Sequence, residues 1–136
     1  MKGFCQHGAV STYAHCLRVA HASLRLARAL HLHVDEQDLV AAALLHDFYL
    51  YDWHDRTTSR PNHATRHPLY AAENARRVFG VDERVESAIS THMWPLPPGR
   101  VPASREAWIV CAADKWCSLD ETLRMRGCWE GGDGAC

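Results

Sequence analysis

The seven-residue apolar run Leu39-Val40-Ala41-Ala42-Ala43-Leu44-Leu45 ends on His46-Asp47, and that junction constrains the fold more than any other feature. A helix over such a run is apolar almost all round, so it must be covered on every side. The imidazole and carboxylate that close it are carried inward, where uncompensated polar groups are costly. Something must satisfy them, and a divalent metal is the simplest candidate. The dipeptide alone says little. With 10 histidines in 136 residues, chance supplies roughly 0.7 His-Asp pairs. A second copy, His54-Asp55, stands in a polar, Pro-containing stretch with no apolar run in front of it. Context separates the two.

The rest of the chain keeps a helical period. Ser11 or Thr12 caps a first helix, whose Tyr13, Cys16, Leu17, Ala20, Leu24 and Ala27 follow i/i+3/i+4 spacing to about Leu30. Asp35, with Asp38 three residues on, starts a second helix that runs to His46-Asp47. Phe48 to Arg66 has no clear period and contains Pro61-Asn62, the kind of long connection that serves as a lid or binding loop. Pro68 suits the first turn of a third helix, which Gly80 ends. Asp82 caps a fourth helix through His92, stopped by Pro95 and Pro97-Pro98, and a fifth covers about Arg105 to Met125. No β alternation of useful length, repeat or linker interrupts this pattern. The expectation is an all-α, single-domain bundle of about five helices over 1–126, with 127–136 as a flexible Gly-rich tail.

A net charge of −1 provides no electrostatic footprint for a nucleic-acid polymer or an anionic membrane. No apolar run approaches the roughly 20 residues of a membrane span. Met1 to His7 lacks the apolar core of a signal peptide, so the chain reads as cytoplasmic. The 6 cysteines form no C-x-x-C unit and read as reduced thiols, which argues against a structural zinc site.

Each helical segment brings a His or Asp to an element end or an apolar face. His15 is flanked by the apolar stripe of the first helix, away from the Arg18/Arg25/Arg28 face. His67 precedes Pro68 at an N-cap position, and His92 ends the fourth helix. Asp114 sits within an apolar stretch of the fifth. Taken singly, each has an ordinary role: His67 as a cap, His92 as a cation favoured by the helix dipole, Asp114 as a salt-bridge partner of Arg18 or Lys115. His7, His21, His31, His33 and His63 complete no pattern. Imidazole and carboxylate donors together suit Mn, Fe, Co, Ni or Zn, with Mg also allowed.

The ordered set resembles the HD-domain superfamily of metal-dependent phosphohydrolases. The resemblance covers about Ser11 to Glu121 and rests on Tyr13-Ala14-His15-Cys16-Leu17-Arg18, Leu44-Leu45-His46-Asp47 and His92-Met93-Trp94-Pro95-Leu96. It implies a metal set of His15, His46, Asp47 and Asp114, with His67 and His92 marking a binuclear branch in which Asp47 bridges two ions. The implied reaction is hydrolysis of a phosphate ester or anhydride in a small, nucleotide-like molecule. Arg18 and Lys115, each near a ligand, are expected to bind substrate phosphate. His54, in the long loop, is a candidate for leaving-group protonation, and Trp53 and Trp94 are candidate walls for a base or sugar. Two rivals stay open: an HD-fold di-iron oxygenase, and a ligand-sensing domain without turnover.

Overall fold

The computed structural model describes residues 5–7, 10–48 and 63–130, with side chains over 11–48 and 66–124. Among the described residues, five helices make up the architecture: α1 Thr12–Ala29, α2 Glu36–Leu45, α3 His63–Phe79, α4 Glu83–Thr91 and α5 Arg105–Glu130. A short antiparallel ladder precedes them, β1 Cys5–His7 with β2 Val10–Ser11, pairing Cys5 with Ser11 and His7 with Val10. The sequence pattern did not foretell this ladder, because strands of three and two residues are too short to show alternation.

Helix starts follow the expected caps. Ser11 Oγ accepts from Ala14 N at 3.2 Å, Asp35 Oδ1 from Gln37 N at 2.9 Å, and Asp82 Oδ1 from Val85 N at 2.9 Å. Ser104 Oγ does the same for α5, accepting from Ala107 N at 3.1 Å. The end of α1 is a Schellman closure, with Leu32 N donating to Ala27 O and His31 N to Arg28 O. His31 occupies its left-handed position at φ 49°, where glycine would be free of strain. Gly80, at φ 63°, fills the equivalent position after α3.

Two boundaries differ from expectation. α3 begins at His63, so Pro68 lies inside the helix rather than in its first turn. The loss is one backbone hydrogen bond, to the residue 64 carbonyl, and it falls near the N-terminus where few bonds depend on it. α5 continues through Gly127 to Glu130, since a single glycine costs only about 1 kcal/mol of helix stability. Residues 131–136 lie outside the described residues.

α2 is the hub, packed on α1, α4 and α5 and touching α3. Leu39, Ala42 and Ala43 are fully buried there, and Leu44 and Leu45 partly so. Alanine dominates the core: Ala71, Ala72 and Ala75 of α3, Ala88 of α4, and Ala107 and Ala113 of α5 are all buried. Small side chains let helix axes approach closely. Long polar side chains from different helices can therefore meet, and His15, His46, His92 and Glu121 are among the bulkiest fully buried groups.

Candidate metal centre

The end of α2 places the first donors. His46 is its C-cap, and its Nδ1 donates to Ala43 O at 2.8 Å. That bond fixes the tautomer and turns Nε2 inward as a lone-pair donor. His92, the C-cap of α4, repeats the device, with Nδ1 donating to Ile89 O at 2.7 Å. The two helix ends thus present two Nε2 atoms to one space, the rings 4.9 Å apart.

Four more side chains close on the same space. His15 of α1 places Nε2 3.0 Å from Asp114 Oδ1 of α5. His67 of α3 places Nε2 3.2 Å from His92 Nε2 and 3.3 Å from Asp47 Oδ1. Asp47 Oδ2 faces the other way, 3.6 Å from His46 Nε2. All six residues expected as ligands are therefore brought together. Three groups have donor atoms close enough to share an ion: His15, His46 and Asp47; His46, His92 and Asp114; and Asp47, His67 and His92.

The fit to a divalent ion can be tested on the polar atoms themselves. Among the described residues, the buried side-chain atoms without a hydrogen bond are Ser23 Oγ, His46 Nε2 and both Asp47 oxygens. Three of these four point into the cluster. Two imidazoles bound to one ion at about 2.1 Å place their nitrogens roughly 3.0–3.4 Å apart, which the His67–His92 separation of 3.2 Å matches. Donor type, spacing and orphaned atoms all fit.

The electrostatics follow from burial and proximity. Burial pushes His92 toward its neutral form, the neighbouring His46 adds to this, and its pKa falls to about 3. Burial acts the same way on His46, but Asp47, Cys16 and Asp114 outweigh it and hold that imidazole well above its usual range. Asp114 stays well below the usual carboxylate range despite burial, because the His15 and His46 imidazoles lie against it. Asp47 is likewise lowered against its burial, by His46, His67 and His92.

One residue escaped the sequence reading. Glu121 of α5 is buried and accepts from His15 Nδ1 at 3.0 Å through Oε2. This carboxylate orients the imidazole so that Nε2 is the nitrogen left for the cluster. The spacing carried a signal: residues 114, 118 and 121 share a helix face, and Ser118 Oγ lies 3.4 Å from Asp114 Oδ1.

Arg18 and Lys115 each have protein partners close to the cluster. Arg18 pairs with Asp120 at 2.6 Å and Glu121 at 3.4 Å, and so buttresses Glu121 from behind. Lys115 Nζ donates to His92 O at 3.0 Å and Cys111 Sγ at 3.3 Å, capping the end of α4. Asp114 pairs with His15 rather than with either cation. Trp94 packs edge-on against Trp108, with centroids 5.0 Å apart. His21, His31 and His33 are exposed. His54 and Trp53 lie outside the described residues.

No curated protein and no solved structure matches the chain. A family model described as HD domain matches residues 12–118. With the six donors in one buried cluster and this match over most of its length, the chain belongs to the HD-domain family.

Proposed function

We propose that the chain is a metal-dependent phosphohydrolase that cleaves a phosphate ester or anhydride in a small, nucleotide-like molecule. Its family consists mostly of metal-dependent hydrolases, and the observation that carries the reading here is Asp47. A carboxylate only 1 % exposed, with neither oxygen hydrogen-bonded and imidazoles on both sides, is built to be shared by two cations. When bound, divalent ions supply Lewis acidity and bring the pKa of a coordinated water near neutrality.

The chain's own contribution is preorganisation. Ala43 O and Ile89 O hold the His46 and His92 rings with Nε2 facing the cluster, and Glu121 does so for His15. Asp47 turns one oxygen toward His46 and the other toward His67. The side chains of Asp114 and His67, each 10 % exposed, are the members through which the cluster meets solvent, so substrate approaches there. In this proposal Lys115, with one N–H unused by its two partners, and Arg18 contribute positive charge nearby, and His54 protonates the leaving group.

The test is elemental analysis of protein purified without added metal, followed by a panel of nucleotides, dinucleotides and phosphate monoesters. The expected result is one or two transition-metal ions per chain and metal-dependent phosphate release that His46→Ala and Asp47→Ala abolish. Metal-loaded protein that hydrolyses nothing in the panel would refute the reading. Dioxygen uptake with a polyol or phosphonate would replace it with the oxygenase.

A further inference from the structure

The outward face of α5 carries Trp108, Ala112, Trp116, Leu119 and Leu123, spaced by four, four, three and four residues along one helix stripe. All are exposed, Trp116 at 70 %. The stripe is about 22 Å long and stands on a helix whose opposite face carries Asp114 and the core. Beside it an apolar groove of about 480 Å³ runs between α1 and α5, lined by Ala22, Leu26, Ala29 and Ala113, with Trp116 on its rim.

We propose that this face binds a second copy of the chain, Trp116 of each copy entering the α1–α5 groove of the other. A projecting indole and an apolar hollow lie side by side on one surface. A two-fold axis between them pairs each knob with the other copy's hole, the self-complementarity that an isologous dimer requires. Charge points the same way. The groove lining offers a single cation, Arg25, and no anion, so it does not select a strongly charged partner. A net charge of −1 leaves little repulsion between copies.

The available area approaches what a specific interface needs. From their exposures, Trp108, Trp116, Leu119 and Leu123 offer roughly 450–500 Å² per copy. Two copies therefore bury about 900–1,000 Å² from these side chains alone. The groove walls and rim carry the total toward the roughly 1,200 Å² at which specific interfaces begin.

Sedimentation velocity on the full chain, from low to high micromolar concentration, tests this. The expected result is a concentration-dependent dimer. Trp116→Glu should weaken it at least thirtyfold, roughly the loss of one interfacial hot spot. Leu119→Glu and the groove-filling Ala112→Arg should also shift the chain toward monomer. Val78→Glu, on the exposed face of α3, should leave the dimer intact. Far-UV circular dichroism identifies any variant that loses its helices. A wild-type chain that stays monomeric throughout, or a dimer that survives all three α5 substitutions in folded protein, overturns the proposal.

Discussion

Glu121 offers a sharp test of how the centre is held. Its carboxylate accepts from His15 Nδ1 at 3.0 Å and lies 3.4 Å from Arg18 Nη1, with no exposed side-chain surface. Glu121→Ala leaves a buried N–H unpaired and Arg18 without one of its partners. Removing one side of a buried pair costs about 3–5 kcal/mol, a large part of the roughly 5–15 kcal/mol a domain of this size possesses. Glu121→Gln is milder, because the amide oxygen still accepts from Nδ1 and only the charge is lost. Its cost is about 1–1.5 kcal/mol, the difference between an ionic and a neutral hydrogen bond. The Gln variant should also bind metal about 10–100-fold more weakly, as expected when a ligand histidine loses its orienting carboxylate. Urea unfolding in chelator reads the first effect, and competition titration with a chromophoric chelator reads the second. If Glu121→Gln matches wild type in both, the carboxylate does not position His15 and the reasoning fails.

Four further outcomes are expected. His31→Gly should stabilise the protein by about 0.5–1 kcal/mol, because φ 49° strains any side chain at that position; an unchanged denaturation midpoint would contradict this. Glu106 accepts from Asp35 N at 2.9 Å and has a lowered pKa, so its contribution is complete above the unfolded value of 4.5 and is lost as pH falls through the folded value. Glu106→Gln should therefore flatten the acid limb of stability against pH, whereas Asp38, raised by burial and by Asp82 and Asp35, has the opposite sign, and Asp38→Asn should stabilise at neutral pH but not in acid. Metal removal should lower the thermal midpoint, since ions held at a hundred times their dissociation constant add about 2.7 kcal/mol; identical melting with and without chelator would count against a folded-state metal site.

The sequence made the helices legible because their signals are local. Ser11, Asp35 and Asp82 are side-chain caps acting within three residues, and an apolar stripe declares its face without knowledge of its partner. The six clustered donors were legible through their order along the chain and the apolar company they keep. Glu121 was not, because a carboxylate near the end of a polar helix segment looks solvated until α1 is laid against it. The same holds for Arg18 and Lys115. Their partners, Asp120 and His92 O, lie 102 and 23 residues away, so neither contact could be read from neighbours in the chain. Pro68 misled for a different reason: its ring reports what a helix disfavours, and the cost near an N-terminus is small enough for the chain to continue upstream.

The alanine-lined core has a consequence for how such a centre changes over time. Donor separations are set by backbone spacing, and that spacing is set by methyl groups at Ala42, Ala43, Ala75, Ala88 and Ala113. Replacing one of these by Ser or Gly leaves every donor in place while altering how far apart two helices stand. Preference among ions of different radius is thus open to drift at positions that never touch an ion. A comparison restricted to the six donor residues would score two such chains as the same protein, although their donor separations differ.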